Sequence, residues 1–266
     1  MALLKSLSRD HRLGSPREPQ KRKKMKAIIL AAGTSTRLRP LTDDLPKCLL
    51  PLNKDAIIDH QIKCLARFAV DHVFVVAGHK RVLLEEHIAN VETGLPISIV
   101  NNERFEETDN AFSLSLALDH IDAGNDTVLV LDGDILFELA LLKELIESPY
   151  DNACIIDNSK DIQPEDCKVV VTNNTAARIG KRVPGNVVYT SMIKLSADFL
   201  KAFTRALKEP STQPEWYSEP LDRVLIKHPS MLHVIYTNGL LCCEIDTYED
   251  LLNARTLYQQ IKKREP

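Results

Sequence analysis

The strongest structural signal in the chain is the stretch Leu30-Ala-Ala-Gly33-Thr-Ser-Thr-Arg37-Leu-Arg-Pro-Leu-Thr-Asp-Asp-Leu-Pro-Lys47. An apolar run, Ala27–Ala32, leads into it and predicts a buried strand that ends in a loop. Backbone N–H groups freed at such a turn can bind phosphate oxygens, and glycine permits close approach. Arg37 and Lys47 would bring positive charge to a polyphosphate from both sides. The stretch predicts a phosphate-binding loop, with a plain strand-to-loop connection as the alternative.

The spacing of this loop separates it from two common nucleotide motifs. No Gly-Lys-Ser/Thr follows, as a Walker loop requires, and one glycine is too few for the dinucleotide fingerprint. Gly33, three residues and Arg37, then Pro46-Lys47, resemble the signature loop of the sugar-phosphate nucleotidyltransferase superfamily. Its members make an NDP-activated compound from an NTP and a phosphorylated substrate. The resemblance covers 25–262 and implies nucleotide-binding roles for Leu30, Ala31, Ala32, Gly33, Thr34 and Ser35, and catalytic roles for Arg37 and Lys47.

Composition and charge are those of an ordinary globular protein. The 266 residues suffice for one large α/β domain or two small ones. The net charge of −3 indicates neither a nucleic-acid partner nor a membrane surface, and no apolar run is long enough to span a bilayer. The six cysteines lack Cys-x2-Cys spacing and lie mostly in apolar segments. They predict reduced, buried thiols in a cytoplasmic protein, and a homodimer is left open.

Residues 1–24 differ from the rest of the chain. They carry eight lysines and arginines against two acidic residues, are punctuated by proline, serine and glycine, and lack apolar periodicity beyond Leu4. This pattern predicts a basic flexible extension, with an organelle-targeting leader as the alternative.

Beyond Met25, apolar and amphipathic segments alternate. Buried strands are predicted at Ala27–Ala32, Val73–Ala77, Ile97–Val100 and Val128–Leu131. Helices are predicted between them at Ala56–Phe68, Arg81–Asn90 and Ala111–Asp119. This succession predicts a doubly wound, mostly parallel, Rossmann-like α/β sheet with its ligand crevice at the carboxyl ends of the strands.

After Leu142 the pattern changes to short strands. We predict a β-rich substrate-binding insertion at about 150–240 within a single nucleotidyltransferase domain, 25–262. The predicted strands are Ala153–Ile156, Lys168–Thr172, Val187–Ile193, His233–Tyr236 and Leu240–Glu244. Helices are predicted near Ser196–Leu207 and Leu221–Lys227, and a last one, Tyr248–Lys262, with Thr247 as its N-cap.

Two carboxylates follow apolar strands. Asp134 comes after Val128–Leu131, and Asp246 comes after the last strand. Carboxylates at neighbouring strand ends that face a polyphosphate loop are typical of Mg²⁺ sites, although a single Asp there is more often a turn former or helix cap. The pair matches the two metal aspartates of the family in order and context, which implies Mg²⁺ as cofactor. Asp132 and Glu244 have the same strand parity, and we assign them to nucleotide and substrate binding respectively.

The stretch Asn101–Leu114 indicates the branch of the superfamily. It resembles the Asn-x2-Ser-Leu segment of the phosphocholine and 2-aminoethylphosphonate cytidylyltransferases, which lies over the pyrimidine and helps to select cytosine. The resemblance implies that Asn110 and Ser113 bind the base, and small amides and hydroxyls suit such an edge. The alternative is that both residues cap the following helix.

The acceptor site is expected in the insertion. Trp216, Tyr217, Glu219 and Asp222 form an aromatic and acidic cluster that resembles the surroundings of the substrate ammonium in choline-type relatives, and such groups complement an organic cation. Packing of the two rings against the core is the alternative. Lys168 matches a lysine placed near the transferred phosphate, and an exposed strand lysine is the alternative.

The resulting hypothesis is a Mg²⁺-dependent cytidylyltransferase. It transfers CMP from CTP to a small phosphorylated or phosphonylated amine of the phosphocholine, phosphoethanolamine or 2-aminoethylphosphonate type, with release of pyrophosphate. The nearer alternative is a sugar-1-phosphate nucleotidyltransferase that uses UTP or dTTP. The more remote alternative is a non-catalytic nucleotide-binding domain.

Overall fold

The computed structural model describes residues 24–121 and 126–264. All but one residue of the basic extension predicted at 1–24 lies outside the described residues. The strands are β1 Met25–Ala31, β2 His72–Ala77, β3 Ile97–Asn101, β4 Thr127–Asp132, β5 Ile135–Phe137, β6 Ala153–Asp157, β7 Lys168–Thr172, β8 Thr175–Gly180, β9 Val187–Leu195, β10 His233–Tyr236 and β11 Cys242–Glu244. The helices are α1 Ile57–Leu65, α2 Arg81–Ala89, α3 Asn110–Leu118, α4 Leu139–Glu147, α5 Ala197–Leu207, α6 Ser218–Lys227 and α7 Tyr248–Arg264.

One large sheet carries the fold. Its strand order is β3-β2-β1-β4-β9-β6-β10-β8-β7, and β1 lies in parallel register between β2 and β4. Within this sheet only β9 and β8 run against the other strands. The predicted mostly parallel α/β sheet is therefore confirmed.

The apolar runs of the central strands are buried on both faces because helices cover both sides of the sheet. On β1, Ile28 and Leu30 contribute to a core with α3, α5 and α6, whereas Ala27 and Ile29 contribute to a core with α1, α2 and α4. Side chains alternate between the faces of a strand, so continuous hydrophobicity signals this doubly wound arrangement.

Four elements depart from the expected pattern. Helix α4 and strands β5 and β8 were not predicted, and β8 forms a hairpin with β7 through Asn173 and Asn174, both at positive φ. Two such residues form the tight turn that suits the twist of a hairpin. Strand β11 pairs with β5 in a separate two-stranded sheet instead of joining the large one.

The last helix, α7, begins as predicted. The Asp250 N–H donates to Thr247 Oγ1 (3.2 Å), and the Thr247 N–H donates back to the Asp250 carboxylate (2.8 Å). This reciprocal pair is a capping box, and it fixes the chain just after Asp246. The helix then packs its apolar side against Leu52, Ile57 and Leu136.

The structure also bears on the predictions made for the cysteines and for membrane-spanning segments. All six cysteines are free thiols, three of them buried and three partly buried. Among the residues that the structure describes, no helix combines the length and hydrophobicity needed to cross a bilayer.

Candidate active site

A cavity of about 530 Å³ opens at the carboxyl ends of β1 and β4. The loop that follows β1 forms one wall. Ser35 adopts a left-handed conformation (φ 51°), and its carbonyl accepts a hydrogen bond from the buried Thr42 hydroxyl (2.9 Å). A side chain added at Gly33 would meet no atom within 4 Å, so this backbone borders open space. The loop can therefore receive a ligand against its main chain.

Ionic contacts define what we call the carboxylate end of the cavity: Arg37, Lys47, Asp134, Glu244 and Asp246. The Lys47 ammonium lies 2.8 Å from Asp134 Oδ2 and 2.7 Å from Asp246 Oδ1, and Arg37 lies 2.8 Å from Asp246 Oδ2. The Ile245 N–H donates to the Asp134 carbonyl (3.0 Å), which holds the two aspartate-bearing segments side by side. These residues are distant in sequence and adjacent in space.

Burial and neighbouring charges shift the pKa values of the groups at this end. Burial works to lower the pKa of Lys47, but Asp134 and Asp246 outweigh it and raise the pKa. Burial works to raise the pKa of Asp246, and Lys47 and Arg37 outweigh it and lower that pKa. At Glu244, burial and the neighbouring Asp134 and Asp246 raise the pKa to about 7. The arrangement thus keeps one lysine and one aspartate charged around a crowded group of acids.

The same residues fit a divalent cation. Ligand atoms of Asp134, Glu244 and Asp246 lie within 4.8 Å of one another. Asp134 Oδ1 is buried and has no hydrogen-bond partner among the described residues. Clustered carboxylate oxygens with one orphaned acceptor are a hard-ligand set of the kind that Mg²⁺ takes.

Asp132 lies in the cavity wall, close enough to Asp134 and Glu244 to interact with both. Burial, together with Asp134 and Glu244, raises its pKa well above the ordinary value, and a hydrogen bond from Ser191 opposes the shift. Ser191 is a buried strand residue at positive φ (60°), beside an irregularity in the pairing of β6 with β9. The distorted strand presents its hydroxyl to the cavity.

Three polar side chains form what we call the amide end: Asn102, Asn110 and Ser113. The buried Asn102 donates its amide hydrogens to Ser113 Oγ (3.0 Å) and Thr108 Oγ1 (3.2 Å). Asn110 Oδ1 accepts from the backbone N–H of Tyr217 (2.8 Å). Neither Asn110 nor Ser113 makes a side-chain cap, because Asn110 is already the first residue of α3 and its N-cap is Asp109.

The adjoining part of the cavity wall, which we call the indole end, contains Asp109, Lys181, Trp216 and Tyr217. The Lys181 ammonium lies 3.9 Å from the centre of the Trp216 ring. The Tyr217 hydroxyl is buried and donates to the Tyr189 hydroxyl (3.0 Å). Trp216 is thus in contact with a cation of the protein itself, and Tyr217 packs as a core residue that borders the cavity.

The structure brings most of the sequence-predicted residues to this cavity. It is lined by Leu30, Ala32, Gly33, Thr34, Ser35, Arg37, Lys47, Asn110, Ser113, Asp132, Asp134, Trp216, Tyr217, Glu244 and Asp246.

Four predicted residues are placed elsewhere, and each has a physical reason. Ala31 packs into the core beneath the loop. The Lys168 ammonium approaches the Pro164 carbonyl (3.4 Å) at the start of β7. The Glu219 carboxylate accepts from the Trp216 N–H (3.1 Å) at the start of α6, and Asp222 forms a bidentate pair with Arg178 and accepts from the Ile179 N–H (2.9 Å).

The cavity wall also contains residues that the sequence did not single out. Among them are Asn102, Asp109, Lys160, Lys181 and Ser191, together with the acidic Glu165 and Asp166. The position of Asn102, directly after an apolar strand, is a signal that could have found it. The lysines follow turns of the insertion and Ser191 lies within a strand, so neither periodicity nor a motif marks them.

The comparisons with known proteins identify the family of this chain. Residues 26–167 match the model of the nucleotidyl transferase family, and the chain belongs to that family. It is 32% identical over 168 residues to mannose-1-phosphate guanylyltransferase 1 of Arabidopsis thaliana, a match that covers 62% of this chain and 46% of the relative. It is 29% identical over 160 residues to choline-phosphate cytidylyltransferase of Streptococcus pneumoniae, covering 58% of this chain and 67% of the relative.

Among solved structures, the chain is similar to the inositol-1-phosphate CTP transferase from T. maritima. The TM-score is 0.76 at 25% identity, with 90% of this chain and 97% of that chain covered. The predicted resemblance to the nucleotidyltransferases, cytidylyltransferases included, is confirmed.

Proposed function

We propose that this nucleotidyltransferase is a Mg²⁺-dependent cytidylyltransferase that transfers CMP from CTP to a small phosphorylated acceptor and releases pyrophosphate. The observation that carries the choice of base is the hydrogen bonding of the amide end. Ser113 Oγ already accepts from Asn102, and Asn110 Oδ1 already accepts from Tyr217. Each residue therefore turns a donor towards the cavity.

These donors suit cytosine better than uracil. The Watson–Crick edge of cytosine offers two adjacent acceptors, O2 and N3, whereas uracil carries a hydrogen on N3. A uracil placed in the same way would oppose donor to donor and leave buried polar groups unpaired, which costs about 1–3 kcal/mol. The cytidylyltransferases among the matched proteins support the same choice.

The carboxylate end supports the chemistry of transfer. Arg37 and Lys47 would hold the CTP phosphates, with the backbone of the Gly33 loop beside them. Asp134, Glu244 and Asp246 would hold Mg²⁺, which neutralises phosphate charge when bound. An acceptor phosphate oxygen forms a bond to the α-phosphorus of CTP, and the bond from that phosphorus to the bridging oxygen breaks. Pyrophosphate leaves with the electron pair.

No strong general base is needed for this reaction. A phosphate monoester has a second pKa of about 6 and is largely dianionic at neutral pH. Alignment and charge neutralisation are therefore the main contributions of the protein, as in other phosphoryl transfers. Arg37 and Lys47 are the side chains placed to supply both.

Two classes of phosphorylated acceptor are consistent with the proposal. The sequence predicts a phosphorylated or phosphonylated amine, as in the choline-phosphate relative. A phosphorylated polyol, as in the inositol-1-phosphate enzyme, is the other class that the matched proteins support. The contact of Lys181 with Trp216 favours the second class.

A sugar-1-phosphate nucleotidyltransferase that uses UTP or dTTP is the alternative function, and a guanylyltransferase is among the relatives. A non-catalytic nucleotide-binding domain is a weaker one. Lys47 contacts both Asp134 and Asp246, and Arg37 contacts Asp246, so the two cations and two carboxylates expected of a transferase are held together.

A substrate matrix tests the proposal. The purified protein is given CTP, UTP, dTTP or GTP with phosphocholine, phosphoethanolamine, 2-aminoethylphosphonate, inositol-1-phosphate, glucose-1-phosphate or mannose-1-phosphate, and pyrophosphate release is measured with Mg²⁺ and with EDTA. We expect CTP to exceed UTP in kcat/KM by roughly ten- to a hundredfold, and EDTA to abolish turnover. Preference for UTP, dTTP or GTP with a sugar phosphate would replace the proposal with the alternative. Nucleotide binding without turnover in any combination would indicate the non-catalytic domain.

A further inference from the structure

The indole end already holds a cation at the place where an acceptor ammonium would bind. Lys181 follows β8, Trp216 precedes α6, and the ammonium of the first lies 3.9 Å from the ring centre of the second. An aromatic face within about 6 Å of a cation is the usual recognition surface for an organic ammonium group. Here that face is taken by the side chain of the protein itself.

The carboxylates that could attract a second cation are also engaged. Three acidic residues flank Trp216 in sequence: Glu215, Glu219 and Asp222. The first lies 2.7 Å from Arg223, the second accepts from the backbone of Trp216, and the third pairs with Arg178 at 2.8 Å. None of the three lines the cavity. Two of these acidic residues are therefore paired with arginines within the fold, and Glu219 is held by a backbone N–H.

Asp109 is the acidic residue of the indole end as defined above, and Lys181 belongs to the same end. Burial raises the pKa of the Asp109 carboxyl, and the positive charge of Lys181 opposes that shift. An ammonium brought to Trp216 would meet Lys181 directly, and like charges in contact cost affinity. A hydroxyl group would not lose affinity in this way, because it can donate a hydrogen bond to Asp109 and accept one from Lys181.

We infer that Lys181 replaces an acceptor ammonium, so that this protein takes small phosphate esters whose body is uncharged and bears hydroxyl groups. This inference rests on the proposed transfer to a phosphorylated acceptor. It makes Lys181 a residue that determines acceptor specificity, and it places the phosphorylated amines among the poor substrates.

Two probes of equal shape test the inference in the wild-type protein. Phosphocholine and 3,3-dimethylbutyl phosphate differ only in the charged nitrogen that replaces a carbon. With CTP and Mg²⁺, we expect kcat/KM for the neutral ester to exceed that for phosphocholine at least about tenfold, because like charges oppose each other in the second case. Binding of both probes is also measured by calorimetry with a non-hydrolysable CTP analogue, so that slow turnover does not hide the ratio. Binding or turnover of phosphocholine equal to or better than that of the neutral ester overturns the inference.

A matched pair of variants sharpens the test. Lys181→Met keeps an unbranched chain on Trp216 and removes the charge. In this variant, the ratio of kcat/KM for phosphocholine to kcat/KM for the neutral ester should rise at least about tenfold. The opposing charge is gone, and the aromatic face is free for a cation. Lys201→Met, on α5, removes an exposed lysine paired with Asp198 and should leave the ratio unchanged. An unchanged ratio in Lys181→Met counts against the inference, and melting curves establish that both variants are folded.

Failure of this inference is separable from failure of the proposed function. If CTP is the preferred nucleotide and phosphocholine beats its neutral isostere, transfer to a phosphorylated acceptor stands and the role of Lys181 falls. If another nucleotide is preferred, the proposed base choice falls. The ratio of kcat/KM for the two probes, measured with that nucleotide, still decides the role of Lys181.

Discussion

The carboxylate end and the indole end of the cavity are built from chain segments of different kinds. At the carboxylate end, Lys47 bonds to Asp134 and Asp246, which lie 87 and 199 residues away in sequence. Beside the indole end, Glu215, Glu219 and Asp222 are close together in sequence but do not line the cavity, and their bonds lead to Arg223, the backbone and Arg178. The residues that we propose for catalysis thus come together from distant parts of the chain, while the local acidic cluster beside Trp216 makes its contacts within the fold.

The largest expected effect comes from the carboxylate end. Asp134→Asn or Asp246→Asn removes a charged oxygen from the group that fits Mg²⁺, and should lower kcat at least about a hundredfold. Pyrophosphate release with CTP measures it, and circular dichroism monitors the fold. Asp198→Asn, an exposed aspartate on α5, is the control. Near-normal Mg²⁺-dependent turnover in either site variant would show that this end is not where the reaction takes place.

Lys47→Ala tests the cation of the same end. One donor at developing phosphate charge is commonly worth about 3 kcal/mol, so kcat should fall by roughly a hundredfold. Lys63→Ala serves as the matched control, because Lys63 forms a single exposed pair with Asp55. If Lys47→Ala instead raised KM for CTP with kcat unchanged, the lysine would contribute equally to binding substrate and transition state.

Ser113→Ala should have a moderate and selective effect. Loss of one hydroxyl donor should narrow the preference for CTP over UTP by roughly tenfold, with a small fall in melting temperature because Asn102 loses one of its two acceptors. Ser115→Ala, two residues along the same helix, is the control, since that hydroxyl donates to the Phe112 carbonyl (2.8 Å). A preference that stays constant while the melting temperature falls would assign Ser113 to the fold alone.

The smallest effect on catalysis is expected at Asp222. Its carboxylate holds Arg178 and the Ile179 N–H, so Asp222→Asn should cost about 1 kcal/mol of unfolding free energy, and kcat and KM should stay within about twofold. The melting temperature should fall by about 2–4 °C for a protein of this size. A large rise in KM for the acceptor without loss of stability would place Asp222 in the binding site after all.

The carboxylate end was predictable because strand ends obey a topological rule. A buried strand followed by Gly33 and its parallel neighbour followed by Asp134 must meet at one edge of a doubly wound sheet. That rule holds without any knowledge of side-chain pairing. It does not cover Asp246, which the pairing of β11 with β5 and the bond from the Ile245 N–H to the Asp134 carbonyl bring to the same edge.

The indole end was not predictable in the same way. Arg178 and Lys181 lie on or just after β8, a strand that the sequence reading did not contain, so the partners of Asp222 and Trp216 could not be paired with them. The sequence therefore predicted an acceptor site around Trp216 and Asp222. In the structure, Lys181 contacts the ring of Trp216 and Arg178 pairs with Asp222.

The side chain of Asn110 has a further consequence. It lines the cavity beside Ser113, while its carbonyl oxygen holds the Tyr217 N–H at 2.8 Å and the next N–H, that of Ala111, donates to the Glu215 carbonyl. A base that orders Asn110 therefore also orders the segment that carries Trp216. Nucleotide and acceptor should then bind with positive cooperativity, and thermodynamic linkage requires each to raise the affinity of the other by the same factor.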